Sequence, residues 1–168
     1  MQNALLAKIR PEPARPSHHR TTGTRRHSLR PASHERRTDD QFVAMLGAYR
    51  ASGGIARTPE VLALFRRNYG PDHSTLAKWV ASRQVLCFEW QAQAWFPWFQ
   101  FDRRRLLPHP QLRPVMDELT PIYDPWQLAS WFARPNPWLS DHTPVAALGL
   151  NLAAVVHAAR AEGFIVRG

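Results

Sequence analysis

Cysteine, lysine, acidic residues and long apolar runs are all scarce in this chain, and each shortage removes a class of protein. The one cysteine, Cys87, excludes an internal disulfide and a cysteine-built zinc site. It stands in the apolar run Val85-Leu86-Cys87-Phe88, where a buried structural thiol is the expectation. No apolar stretch approaches the roughly 20 residues that a membrane span needs, and no secretory apolar region is seen. A cytoplasmic protein with no membrane contact is therefore expected. An Arg- and Ser-containing start can imitate a transit peptide, but Pro11, Pro13, Pro16 and Pro31 break the helix such a peptide requires.

The shortage of acids bears on catalysis, which wants convergent acids, bases or nucleophiles. Glu60, Asp72, Glu89, Asp102, Asp117, Glu118, Asp124, Asp141 and Glu162 are spread thinly, and several have plain roles at helix starts. His73, His109, His142 and His157 show no metal spacing, neither His-x-x-x-His nor His-Glu-x-x-His. His157 reads as a solvated or hydrogen-bonded residue. No glycine-rich phosphate loop and no internal repeat occur. A non-enzyme that uses no cofactor and no metal is the expectation.

What is present is base and tryptophan. The 168 residues carry a formal net charge of +9 with 22 Arg/Lys, of which only Lys8 and Lys78 are lysine. The codon bias of a GC-rich genome accounts for most of the Arg-to-Lys ratio, though not for the net charge. All seven tryptophans lie between Trp79 and Trp138, and 44% hydrophobic residues suffice for a core. Residues 1–40 differ in kind. They hold no aromatic residue and nine basic against four acidic groups. So little apolar surface does not offset the ordering entropy, and disorder is expected. Three readings stay open for the segment: a basic arm on DNA phosphate, a solubilising tail, or a start codon placed too early.

From Asp39 the pattern becomes helical. Phe42, Met45, Leu46 and Tyr49 recur at i, i+3, i+4, i+7, with Asp39 or Asp40 as cap and Gly53-Gly54 as stop. Thr58-Pro59-Glu60 opens a second helix carrying Val61, Leu62, Leu64 and Phe65. Tyr69-Gly70-Pro71-Asp72 is a turn. A third helix, capped by Asp72 or Ser74, turns Leu76, Trp79 and Val80 inward. The period then shortens. Val85–Trp90 and Ala94–Phe101 read as an antiparallel hairpin around 91–93, with Pro97 at an edge or a bulge.

Arg103-Arg104-Arg105 opens a polar connection, after which Leu112, Val115, Met116 and Leu119 share a helix face. Asp124-Pro125-Trp126-Gln127 is a strong helix start, a cap with proline first and glutamine at the third position. Arg134-Pro135-Asn136-Pro137-Trp138-Leu139 is expected to be an irregular loop. Thr143-Pro144 opens a short helix, and Asn151 caps the last, with Leu152, Val155, Val156 and Ala159 inward. The chain is thus expected to be mainly α. A small helix–turn–helix-like bundle with one β-hairpin (41–105) precedes a helical partner-binding domain (106–168).

Two surfaces are candidates. The helices 58–68 and 74–83 have the spacing of a helix–turn–helix, although any three-helix core also produces it. DNA contact would fall to Ser74, Thr75, Lys78 and Arg83, with Arg57, Arg66 and Arg67 on flanking phosphate. Arg103, Arg104 and Arg105 add to that face or meet a partner. In the C-terminal third, Trp126 and Trp131 read as core. Trp138, between prolines in a loop, is open to core or to an exposed anchor.

The run from Asp124-Pro125-Trp126-Gln127 through Asn136-Pro137-Trp138-Leu139 to Thr143-Pro144-Val145, then Val155-Val156-His157-Ala158-Ala159-Arg160, resembles the toxin-binding domain of the Xre/MbcA/ParS antitoxins. Leu76–Phe101 is similar to members in which an aromatic hairpin precedes that domain. Ser140-Asp141-His142 stands where the family usually has a glycine pair, and the N-terminal part is not an obvious Xre-type unit. The resemblance implies the antitoxin of a type II toxin–antitoxin pair. It would sterically close the active-site entrance of a RES-type, NAD-degrading toxin, form a homodimer and repress its own operon on operator DNA. Partner contact would then fall to Arg134, Pro135, Asn136, Pro137, Trp138, Arg160, Phe164 and Arg167, with Gly163–Gly168 either a frayed end or a tail that inserts into a cleft. The competing expectations are a stand-alone transcriptional regulator without a toxin, and an adaptor that has lost DNA contact.

Overall fold

A computed structural model describes residues 32–168, with side chains from Asp39 onward. The chain is mainly helical among these residues, with seven α-helices and one three-stranded antiparallel sheet of order β1-β3-β2. The part of the basic arm within 1–31 lies outside the described residues.

Helix α1 spans Ala32–Tyr49, so residues 32–40, expected to be disordered, are helical. Compositional counting missed this because helix propagates cheaply outward from an anchored end. The anchor is Met45 and Tyr49, both buried, while Leu46 lies exposed at the edge of the same stripe. The Tyr49 hydroxyl donates to the Ala129 carbonyl at 2.7 Å, and burial pushes its pKa well above the ordinary tyrosine value. A 3-10 turn at Arg50–Ser52 and the left-handed Gly53 (φ 112°) and Gly54 (φ 80°) end the element.

Strand β1 (Ile55–Arg57) was not expected from the pattern. It pairs antiparallel with β3 (Gln93–Pro97), and β2 (Phe88–Trp90) pairs with the other side of β3. β3 is therefore the central strand, which corrects the placing of Pro97 at an edge. Pro97 is tolerated because it is the last residue of β3, and the next N–H, from Trp98, reaches the Gly54 carbonyl at 2.9 Å. Trp98–Gln100 then form a 3-10 turn, where a longer strand was expected. The hairpin turn has Gln91 (φ 48°) and Ala92 (φ 56°) both left-handed, as a two-residue type I′ turn requires.

Period-two alternation splits the sheet between two cores. Ala56, Ala94 and Phe96 face one that holds Val61, Phe65 and Leu76 from α2 (Thr58–Arg67) and α3 (His73–Ala81). Ile55, Phe88, Trp90 and Trp95 face the other, with Met45, Tyr49 and the buried sides of α4 (Arg113–Leu119), α5 (Pro125–Ala133), α6 (Pro144–Ala147) and α7 (Leu152–Arg167). Helix α1 thus joins the C-terminal core, across the boundary drawn at residue 105. On that side Phe42, Trp90 and Trp126 form a three-ring cluster, with Trp90 at 5.1 Å from Phe42 and 5.3 Å from Trp126, and Phe42 at 6.5 Å from Trp126.

Gln100 is 1% exposed and fastens the end of this arrangement. Its amide accepts from the Leu86 N–H at 2.6 Å and donates to the Leu86 carbonyl at 2.8 Å, standing in for a strand neighbour. Local capping follows the sequence at α5, α6 and α7, but not at α1, where Asp39 and Asp40 lie inside the helix, nor at α2, where Arg57 takes the cap position expected for Thr58. Asp124 accepts from Gln127 N–H and Gln127 reaches back to Asp124 N–H. Thr143 and Asn151 cap α6 and α7. At α2, Glu60 reaches back to the Arg57 N–H at 2.9 Å, which places the helix start at Thr58 itself.

Candidate functional site

The candidate DNA-facing residues divide into exposed and occupied groups. Helix α3 is capped by Asp72, whose carboxylate accepts from the Thr75 N–H at 2.8 Å; the Thr75 side chain first, and this N–H second, hold the Asp72 pKa below the usual carboxylate range. Leu76 is buried and Trp79 and Val80 are half-buried, so the outward face is Ser74, Ala77, Lys78 and Ala81. Thr75 is half-buried, at the side of that face. Arg83 is exposed just after the helix, in a left-handed conformation (φ 57°). Arg66 and Arg67 are exposed at the end of α2. Arg67 lines a groove of about 650 Å³ with Asn68, Trp98 and Arg103. Arg57 is occupied: its guanidinium donates to Glu60 at 2.9 Å and lies 5.9 Å over the Trp95 ring. Arg104 and Arg105 are exposed, and their backbone N–H groups donate to Asp102.

The second site starts where α5 stops. Arg134 and Pro135 are exposed, and Asn136 is buried with its carbonyl oxygen accepting from the Trp138 N–H at 2.9 Å. The segment expected to be irregular instead closes one 3-10 turn, Pro137–Leu139, on that bond. Asn136 is therefore a scaffold residue of the loop, with Pro137 and Trp138 as its outward members. Ser140 (φ 53°) and Asp141 (φ 60°) are both left-handed, a conformation that suits glycine. Trp138 is 55% exposed and rests edge-on against the His157 ring, with centroids at 5.9 Å.

His157, Arg160 and Phe164 follow one another on the exposed face of α7, at i, i+3 and i+7. Arg160 pairs with Glu118 at 2.9 Å and Arg167 donates to the Gly163 carbonyl at 2.8 Å. The stretch after Gly163 is helix through Arg167, where a frayed or insertable tail was expected. Its last turn exposes three apolar side chains beside Arg167: Phe164 is 79% exposed, and Ile165 and Val166 are exposed as well.

Arg134, Pro135, Asn136 and Pro137 also line a cleft of about 420 Å³ with Tyr123, Trp126, Gln127, Ser130, Trp131 and Glu162. Sequence reasoning missed Tyr123, Ser130, Trp131 and Glu162 as site residues. The one local signal was a serine inside the apolar stripe of α5. The Tyr123 hydroxyl donates to Glu162, and burial with that carboxylate pushes the tyrosine pKa up to about 12. Ser130 and Trp131 are each 7% exposed, and neither the Ser130 Oγ nor the Trp131 Nε1 has a hydrogen-bond partner.

Burial, with Glu89 adding, pushes the Cys87 thiol up to about 11, so it is protonated at neutral pH. Among the described residues no three His, Cys, Asp or Glu side chains stand close enough to hold a metal ion. Among the same residues no helix is long and apolar enough to cross a membrane. The chain matches no protein-family model, no curated protein and no solved structure.

Proposed function

We propose that this chain is a non-catalytic, protein-holding regulator, the antitoxin of a type II toxin–antitoxin pair. The observation that carries the reading is Trp138: a 55% exposed tryptophan on a proline-stiffened turn, backed by His157 and continued by the exposed Phe164. A large aromatic held outward at little entropy cost is what an interface anchor requires. The Ser140-Asp141 turn adds support, because its left-handed backbone fits a place where the resembled family carries glycines. The partner proposed is a RES-type, NAD-degrading toxin, whose active-site entrance the loop and α7 cover. The protein acts in the cytoplasm as a homodimer, and its α2–α3 unit touches operator DNA through Ser74, Lys78 and Arg83. The test is co-production with the product of the neighbouring reading frame. Recovery of both chains as one species supports the reading, and two separate species refute it.

A stand-alone DNA-binding regulator is the second reading. It is favoured by the slim outward face of α3, by the exposed Arg66 and Arg67, and by the net charge of +9. Operator binding by a chain that binds no neighbouring gene product would select it.

A further inference from the structure

Helix α1 turns a second face away from the core. Asp40, Val43, Gly47 and Arg50, the last in the turn that follows the helix, recur at i, i+3, i+7 and i+10, opposite the buried Met45 and Tyr49. All four are exposed, Val43 at 64%, and Leu46 is exposed on one flank. Glycine inside a helix costs stability and is useful there only where a side chain would obstruct a close neighbour. Among the described residues nothing lies within 4 Å of the place a Gly47 Cβ would take, so the neighbour is not in the described chain. Among the same residues no ion pair engages Asp40 or Arg50.

We propose that this face is the contact between two copies of the chain, with α1 packed antiparallel on α1 of the second copy about a two-fold axis at the level of residue 45. The stripe is self-complementary about that level, as a two-fold contact requires. Val43 meets Gly47 of the second copy, and the reverse, so each valine enters the space a glycine leaves. Asp40 meets Arg50 of the other copy at both ends, and Leu46 meets its own counterpart beside the axis. A parallel pairing would set Asp40 on Asp40 and Arg50 on Arg50, like charge on like. Exposed ion pairs add little energy, so the charges fix direction and register while the apolar middle holds the pair. The inference rests on the reading above for the presence of a second copy, and gives that homodimer its interface, but its test needs no toxin.

The readout is the mass of the full chain by sedimentation equilibrium over a concentration series. The expected result is a species of twice 19.3 kDa, with a dissociation constant on the order of 10 µM for so small a contact. Asp40→Arg weakens it about tenfold, and adding Arg50→Asp to that variant restores it. Gly47→Gln abolishes the dimer. It also raises the melting temperature of the dilute chain, because a better helix former then stands in open space, and this separates a blocked contact from a damaged fold. A chain that stays monomeric up to roughly 1 mM, or a dimer that Gly47→Gln leaves intact, overturns the proposal. A monomer whose melting temperature falls in Gly47→Gln gives the face to residues 1–31 of the same chain. A monomer that loses the neighbouring gene product in Gly47→Gln gives the face to that product. Both overturn the second copy as occupant, and the latter keeps the antitoxin reading. A dimer abolished by Gly47→Gln, in a chain that binds no neighbouring gene product, keeps this interface and overturns the antitoxin reading.

Discussion

Replacing Gln100 by leucine removes the partner that, among the described residues, holds both backbone groups of a buried residue. Leu86 is buried, and its N–H and carbonyl are held by the Gln100 amide at 2.6 and 2.8 Å. Leucine fills a similar volume, so cavity effects stay small and the loss isolates the hydrogen bonds. Each orphaned buried group costs about 1–3 kcal/mol. Two of them cost about 2–6 kcal/mol, offset by roughly 1–2 kcal/mol for the apolar atoms gained. The midpoints leave a net loss of about 2.5 kcal/mol, or roughly 5–10 °C in melting temperature for a chain of this size. Urea unfolding followed by tryptophan fluorescence measures it directly, since Trp90, Trp95 and Trp98 surround this part of the sheet. Gln100→Glu should lose a comparable amount, because a carboxylate cannot donate to the Leu86 carbonyl. A Gln100→Leu protein within 1 kcal/mol of the parent (an error-sized margin) would refute the reasoning.

Three further outcomes are expected. Cys87, with its thiol pushed up to about 11 from a usual 9, should react with a thiol reagent about 100-fold more slowly at pH 8 than an exposed cysteine, and its rate should still be climbing at pH 10. A plateau below pH 9 would contradict its burial. Ser140→Gly relieves a left-handed residue at a cost of about 1–2 kcal/mol, less about 0.5–1 kcal/mol of added chain entropy. A small gain in melting temperature should follow, and a loss would mean that the Ser140 side chain supports the turn. Lys78→Ala should lower the slope of log affinity for DNA against log salt by about one. An unchanged slope removes Lys78 from the DNA face.

The parts of the fold legible in the chain were those whose cause is local. Asp124-Pro125-Trp126-Gln127 forms the capping box its spacing implies, and Leu112, Val115, Met116 and Leu119 are all buried on one side of α4 and the turn before it. The parts that were not legible depend on partners distant in sequence. Ile55-Ala56-Arg57 is too short for a period and becomes a strand only because β3 lies beside it. That same pairing makes β3 central, which its proline alone argued against. Of the candidate site, the two prolines marked a break from helix before Trp138, but they gave neither the 3-10 turn nor the outward side of its ring. The cleft behind it was hidden, because Ser130, Trp131, Tyr123 and Glu162 meet only when α5 and α7 pack. That the stretch carrying Phe164 is helical was also hidden, since Gly163–Gly168 at the end of the sequence reads as a tail.

The most direct measurement takes the neighbouring gene product, purified, and titrates it against the parent chain and Trp138→Ala. The account predicts a defined complex that the substitution weakens at least thirtyfold, about 2 kcal/mol. Trp138→Ala should also cost less folding stability than Trp131→Ala, because its ring is already half in solvent. Equal affinities for the two chains, or no complex with either, would contradict it.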